Sequence, residues 1–212
     1  MTATHATATQ HASDNLAVLA AIFETEAELC LYRRPPDADI AGYLSRAGLE
    51  GRLGLGWRRV LTPGETHDLP LAELPGRAAL QADIAWLCEL YATLTGCPRV
   101  GARLEVLRQA MCPRFHADRV GLRLLCCYQG PGTEWLPDAA ADRSQLGAAA
   151  QGLADEQSGL ILDAAAIGRA PPFSVLLLKG SQWPGARGGA IHRSPPPAPD
   201  QPRVLLALDA IW

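Results

Sequence analysis

The segment most informative about the fold lies between Cys112 and Pro137 and reads CPRFHADRVGLRLLCCYQGPGTEWLP. His116 and Asp118 stand two positions apart, directly before an apolar run that a Gly-Pro-Gly turn at residues 130–132 closes. In an extended segment, residues i and i+2 project from the same side, so the imidazole and the carboxylate are expected to face one point. The sequence therefore predicts a strand that begins beside two potential metal ligands.

Short apolar segments separated by turns continue on both sides of this stretch. They predict strands over residues 103–111, 120–128, 158–165, 173–180, 188–194 and 203–212. A polar, alanine-rich segment over residues 138–158 is predicted to be a helical insertion.

The first hundred residues have a different pattern of predicted elements. ELCLY predicts a short strand, and a helix is predicted to begin at an Asp37 or Asp39 cap and to end near Gly48. Residues 51–75 are predicted to be loop with some helix. Residues 74–96 carry apolar side chains at helical intervals, which predicts a longer helix ending at Gly96.

Helices followed by strands are typical of an α+β chain whose β part is a sandwich or an open barrel. We expect a disordered tail over residues 1–14 and one domain over residues 15–212, with a helical part at about 35–96 and a β core at about 97–212.

Composition excludes several classes of function. A formal charge of −3 and scattered arginines do not favour nucleic-acid binding. The apolar runs are too short to cross a bilayer, and the start of the chain lacks a secretory signal pattern, so we expect a cytoplasmic protein without a membrane partner. The 6 cysteines have no C-x-x-C spacing and are expected to be mostly buried and reduced. Cys112 precedes His116 closely and stays open as a thiolate ligand or redox partner, or as a structural residue.

A third potential ligand, His192, lies far downstream at the end of the strand GGAIH. Two imidazoles and one carboxylate form the facial triad typical of mononuclear non-haem Fe(II) sites, which leaves positions open for other ligands. Arg203 follows on the last strand, where its planar guanidinium can pair with a carboxylate through two hydrogen bonds.

The order H-x-D, a long gap, His and then Arg resembles that of the Fe(II)/2-oxoglutarate-dependent oxygenases. HADRVGLRLLCCYQGPGT is also similar to the stretch that follows their first ligands. The resemblance implies a double-stranded β-helix core (jelly-roll or cupin-like) with the N-terminal helices on one face. It further implies Fe(II) at His116, Asp118 and His192, with 2-oxoglutarate held by Arg203, by its competitor Arg193, and by Tyr128. The Arg-x-Ser pattern of that superfamily is absent here, since Leu205 occupies the Ser position.

A narrower resemblance covers most of the chain from about residue 25 onward. CPRFHADRVGLRLLCCYQGPGTEWLP and LLLKGSQWPGARGGAIHRSPP look like a bacterial family catalogued as domain of unknown function 1826.

Two functions follow from these readings. The first is an oxygenase that uses Fe(II) and 2-oxoglutarate to hydroxylate an unidentified small molecule or peptide. The second is a non-catalytic protein that binds Zn(II) through the same His/Asp/His residues, with Cys112 as a further ligand that zinc would favour.

Overall fold

The computed structural model describes residues 9–147 and 152–212. The strands of these residues are β1 (Thr9–Ser13), β2 (Ala27–Tyr32), β3 (Gly56–Leu61), β4 (Arg99–Leu107), β5 (Leu122–Gln129), β6 (Glu134–Leu136), β7 (Gly168–Arg169), β8 (Val175–Lys179), β9 (Ile191–Arg193) and β10 (Arg203–Ile211). The α-helices are α1 (Ala38–Leu49) and α2 (Arg77–Thr95). Short 3-10 helices occupy Leu16–Phe23, Asp138–Ala140, Arg143–Gln145 and Ala164–Ala166.

The strands form two sheets. The large sheet has 7 strands in the order β1-β2-β8-β5-β10-β4-β3, and the small sheet has 3 strands in the order β7-β6-β9. From β4 onward the chain moves repeatedly between the sheets, and an antiparallel bridge between His116 and His192 extends the small one. This alternation is the double-stranded β-helix that the sequence predicts, within a mixed α+β chain.

Three apolar layers hold these elements together. The inner layer lies between the sheets and joins large-sheet residues such as Leu125, Leu176 and Leu205 to Ala190 and Trp135. A second, larger layer packs α1 and α2 against the opposite face of the large sheet. A third covers the outer face of the small sheet. Strands β5, β8 and β10 are buried on both faces, which explains why their sequences are continuous apolar runs.

The helices begin and end where the sequence predicts. The Asp37 side chain caps α1 by accepting a hydrogen bond from the Ile40 amide, and Gly96 ends α2 in the left-handed conformation. The Tyr91 hydroxyl ties α2 to the sheet by donating to the Leu122 carbonyl at 2.6 Å. Within the described residues, neither helix has the length and hydrophobicity needed to cross a membrane.

Five predictions about local structure need correction. The expected disorder is wrong for residues 9–13, which form β1 and pair in parallel with β2, while residues 1–8 lie outside the described residues. The expected loop at 51–75 contains β3, whose Trp57 and Leu61 pack under the helices. Strands β1, β2 and β3 join the large sheet, so the sheet is not confined to residues 97–212.

The other two corrections concern the connection between β6 and β8. The strand predicted over 158–165 is reduced to a single bridge between Ala141 and Ile161, followed by a 3-10 turn. The predicted helical insertion contains short 3-10 turns at both Asp138–Ala140 and Arg143–Gln145, and its residues 148–151 lie outside the described part.

Gly132 provides a test of how closely the backbone before β6 approaches the backbone after β7, with which it pairs in the small sheet. A Cβ at this position would overlap the carbonyl oxygen of Ala170, whereas a Cβ at Gly121 would meet nothing. We expect Gly132→Ala to lower the free energy of unfolding by about 1–3 kcal/mol through overpacking. Chemical denaturation monitored by circular dichroism measures this, with Gly121→Ala as the matched control. Equal stability of the two variants would contradict the close approach.

Candidate metal centre

The three sequence-predicted ligands meet at one end of the small sheet. His116 and His192 exchange two backbone hydrogen bonds, of 3.0 and 2.9 Å, so they lie directly opposite each other and their side chains share a face. Their ring centroids are 4.5 Å apart. Asp118 reaches the same point, and one ligand atom from each of the three residues lies within 4.8 Å of the others.

The orientation of both imidazoles suits metal binding through Nε2. The Nδ1 atoms lie 2.9 Å from the Arg114 carbonyl oxygen and 3.0 Å from the Ala190 carbonyl oxygen, respectively. A carbonyl can only accept a hydrogen bond, so in the neutral imidazole the proton resides on Nδ1 and the Nε2 lone pair can bind a metal, whereas in the protonated imidazole Nε2 donates to Asp118. The Nε2 atoms lie 3.5 and 3.2 Å from Oδ1 and Oδ2 of Asp118.

The protonation states of the group follow from these contacts. Burial raises the pKa of Asp118, but hydrogen bonds from His116 and His192 outweigh it and hold the pKa well below its usual range. Burial lowers the pKa of His116, yet the hydrogen bonds to Asp118 and to the Arg114 carbonyl reverse the shift and raise the pKa above 6.5. The carboxylate is therefore ionised, and a metal ion must displace a proton that His116 holds more tightly than usual.

A line of alternating charges leads away from Asp118 along the inner face of the large sheet. Arg123 donates to Oδ2 of Asp118 at 2.6 Å and to both carboxylate oxygens of Asp209, at 2.7 and 2.8 Å. Asp209 also accepts a hydrogen bond of 3.1 Å from Arg103. Arg123 thus fixes one carboxylate oxygen of Asp118, which leaves the other free to point at a metal.

Arg203 lies in the same cavity as the three ligands and is only 1% exposed. Its guanidinium donates to the Pro131 carbonyl at 2.7 Å, to the Ser194 hydroxyl at 2.9 Å and to the Thr133 hydroxyl at 2.9 Å. All three partners are neutral. Among the described residues, no carboxylate lies within ion-pair distance of this arginine.

Arg193, the second arginine predicted as an anchor for a cosubstrate, lines the same cavity but is already paired within the protein. Its guanidinium pairs with Glu134 at 2.7 Å, Glu156 at 2.9 Å and Asp155 at 3.3 Å, and stacks over the Phe115 ring. The charge of Arg193 is therefore matched by acids of the protein itself.

Tyr128 does not line the cavity. Alternation along β5 turns its ring to the helix side of the sheet, where it packs edge-on against Phe173 and its hydroxyl donates to Asp83 at 2.6 Å. The predicted contact of Tyr128 with a cosubstrate is wrong, because inward positions on β5 have odd numbers.

Cys112 lies on the cavity wall and is exposed. Within the described part of the chain, the ligand group consists of His116, Asp118 and His192 and does not include this thiol. The other cysteines are buried and unpaired.

Sequence reasoning missed the residues that support the ligands. The buried carboxylate of Asp155 accepts a hydrogen bond from the Phe115 amide at 2.7 Å and also pairs with Arg193, so it ties together the neighbours of both histidines. Arg123 and Asp209 were detectable, since they are the charged residues within otherwise apolar strands and stand opposite each other in the register. Asp155, in an irregular loop, gave no such signal.

The donor set fits a divalent ion. Two imidazole nitrogens and one carboxylate oxygen suit Fe(II) in a facial triad and also suit Zn(II), and both histidines have the backbone partners that fix a metal-binding tautomer.

The chain belongs to the family described as "Protein of unknown function (DUF1826)", whose profile matches residues 13–209. This confirms the narrower resemblance read from the sequence. No curated protein matches the chain.

Three solved structures are similar to this chain at low sequence identity. Neurospora crassa T7H in complex with alpha-KG has a TM-score of 0.49 and 14% identity, over 92% of this chain and 77% of that one. A Pseudomonas putida prolyl-4-hydroxylase has a TM-score of 0.47 and 11% identity, over 92% and 98%. AviO1 from Streptomyces viridochromogenes has a TM-score of 0.45 and 16% identity, over 94% and 97%. Similarity at this level leaves the chemistry to be argued from the side chains of the site itself.

The raised pKa of His116 predicts how metal binding depends on pH. A protonated imidazole cannot bind a metal, so the apparent affinity for Mn(II) should fall as the pH drops through this raised pKa, by about tenfold per pH unit below it. Titration calorimetry at a series of pH values from about 5.5 to about 8 measures the profile. An affinity that does not change over this range would show that His116 is not a ligand.

Arg123 predicts a second property of the site. Replacing it by Met frees the carboxylate of Asp118 to rotate, and we expect metal affinity to fall about 10- to 100-fold, as is usual when a partner of a ligand is lost. Arg119→Met is the matched control, because Arg119 is exposed and adjacent to Asp118 in sequence. Unchanged or tighter binding would mean that Arg123 competes with the metal for Asp118.

Proposed function

We propose that this member of the DUF1826 family is an Fe(II)- and 2-oxoglutarate-dependent oxygenase that hydroxylates a small molecule or peptide. The observation that carries the proposal is the buried guanidinium of Arg203, which shares a cavity with His116, Asp118 and His192 and has no carboxylate partner among the described residues.

A buried arginine whose partners are all neutral is energetically unfavourable. The nearby Cys127 does not supply the missing charge, because burial raises the pKa of its thiol and keeps it protonated. Three of the five N–H groups of Arg203 are used, so one N–H remains on each terminal nitrogen. A guanidinium in this state is prepared to bind a carboxylate in the cavity.

Each residue of the site would then have a defined part. His116, Asp118 and His192 would hold Fe(II) on one face and leave its other positions open. Bound there with 2-oxoglutarate, Fe(II) supplies the oxidising chemistry for hydroxylation. Arg203 would hold the far carboxylate of 2-oxoglutarate, and the hydroxyls of Thr133 and Ser194 would orient the guanidinium.

The walls of the cavity favour this arrangement. Leu125, Leu205 and Ala207 line it between Arg203 and the charged cluster around Asp209. These apolar side chains would exclude water from a carboxylate bound to Arg203. A desolvated ion pair between Arg203 and a carboxylate is stronger than an exposed one. Leu205 replaces the Ser expected from the superfamily pattern, and the hydroxyls come instead from Thr133, just before β6, and Ser194, just after β9.

The zinc-binding alternative has no specific support. A thiolate ligand would favour zinc, but Cys112 stands outside the ligand group. A site that only stores a metal would also not require the buried positive charge of Arg203. We further propose a cytoplasmic location, in keeping with the unpaired thiols at all 6 cysteines.

Arg203→Leu tests the proposal. We expect the variant to bind 2-oxoglutarate about 30-fold or more weakly, because truncating one partner of a buried charge pair costs about 2–5 kcal/mol. Metal affinity should change little. Anaerobic titration of the Fe(II)-loaded protein, followed through the visible absorption of chelated 2-oxoglutarate, measures the binding, and succinate formation in air measures turnover.

Arg169→Leu is the matched control, since it removes an exposed arginine that pairs with Glu134. Equal 2-oxoglutarate affinity in Arg203→Leu and in the unchanged protein would refute the anchoring role. Tight Zn(II) binding without any succinate from the Fe(II)-loaded protein would refute the oxygenase.

A further inference from the structure

We propose that Arg103, together with Arg58, forms a subsite for an anionic group of the substrate, either a carboxylate or a phosphate. The inference rests on the proposed function, since it concerns the molecule that would be oxidised at the triad, and it names the chemical class of that molecule.

Arg103 lies on the cavity face of β4 and lines the same cavity as the triad. In the register of the sheet it stands opposite Ala207, whereas Arg203 stands opposite Leu107. Four residues of extended strand separate these two levels, which corresponds to about 13 Å. Arg103 is therefore distinct from the arginine proposed to hold 2-oxoglutarate. The two arginines are too far apart to bind the same carboxylate group.

The guanidinium of Arg103 is poorly matched by the protein. Among residues 9–147 and 152–212, its only hydrogen-bond partner is Asp209, through a single bond of 3.1 Å. Asp209 is already held by two shorter bonds from Arg123. Four N–H groups of Arg103 consequently have no protein acceptor in this part of the chain.

Arg58 adds a second positive charge at the same level. It stands directly opposite Arg103 in the register of β3 and β4, and like charges in this position are destabilising. Its one acidic partner is Glu105, at 2.9 Å, and its side chain is 70% exposed. The neighbourhood therefore holds three arginines, at 58, 103 and 123, against the carboxylates of Glu105 and Asp209.

Asp118 balances this excess fully only while it carries no metal. Once its carboxylate also serves a divalent ion, its negative charge is shared between that ion and Arg123, and Arg123 depends more on Asp209. Arg103 then keeps only a share of the charge of Asp209, to which it makes a single bond of 3.1 Å. An anionic substrate would restore the balance, and it would bind more tightly after the metal.

A cationic ligand is the opposing possibility, because Glu105 also lines the cavity. The pairing of Glu105 with Arg58 and the two facing arginines argue against it. The test therefore compares ligands that share a size and differ only in charge.

The experiment uses the Arg203→Leu variant, in which the proposed 2-oxoglutarate anchor is removed and anion binding elsewhere can be measured alone. The probes are butyrate, butyramide, propyl phosphate and propylamine. Saturation-transfer NMR gives the affinity of each probe with and without Mn(II), and 2-oxoglutarate-saturated parent protein repeats the comparison without any substitution at position 203.

We expect butyrate or propyl phosphate to bind about tenfold more tightly than butyramide, as a charge-assisted pair with arginine implies, and more tightly with Mn(II) than without it. The ratio of butyrate to propyl phosphate identifies the anion. Arg103→Gln should abolish the preference for anions, and Arg103→Lys should retain part of it. Arg59→Gln, on the same strand as Arg58 but exposed on its other face, should change nothing.

Equal affinity for butyrate and butyramide, or a preference for propylamine, would overturn the proposal. Retention of the anion preference in Arg103→Gln would also overturn it. An anion preference that depends on Arg103 in a protein that binds neither metal nor 2-oxoglutarate would leave the subsite standing and refute the oxygenase instead. Binding of metal and 2-oxoglutarate without anion preference would do the reverse.

Discussion

The paired backbone hydrogen bonds between His116 and His192 are the constraint on which the rest of the site depends. They join the segment after β4 to β9, two parts of the chain that are far apart in sequence, and they place the two imidazoles on one face of the small sheet. Because directly opposite residues in an antiparallel pair point the same way, a shift of one residue would send one imidazole to the outer face. Asp155 reinforces this register from outside by binding the neighbours of both histidines.

The sequence predicted much of this arrangement because the relevant signals are local and periodic. The strands β5, β8 and β10 are mostly apolar runs, and α2 carries a helical repeat that ends at a glycine, so each could be recognised alone. The triad could be predicted because H-x-D in an extended segment puts both side chains on one face. Alternation along β10 places Arg203, Leu205, Ala207 and Asp209 on one face of the strand, toward the cavity and Arg123.

The remaining features depend on contacts between distant segments, which no local pattern records. Strands β1 and β3 have polar or mixed sequences, and each forms an edge of the large sheet by pairing with one neighbouring strand. Tyr128 was assigned to the cavity from a resemblance, although its even position on β5 turns it toward α2. The neutral partners of Arg203 come from two separate segments, around Thr133 and at Ser194, and only the folded chain brings them together.

The inner face of β10 shows how one strand can keep two kinds of charge apart. Arg203 stands near one end and Asp209 near the other, with Leu205 and Ala207 between them, so about 20 Å of extended chain separates the two charged positions. If the acid stood four residues closer, at position 205, it would lie next to Arg203 on the same face, neutralise it and remove its need for an external carboxylate. With the actual spacing, Asp209 pairs with Arg123 and Arg103 and balances their positive charges beside the metal ligands. The two-residue alternation that makes β10 a core strand therefore leaves the buried arginine, Arg203, available to bind a ligand at the far end of the cavity.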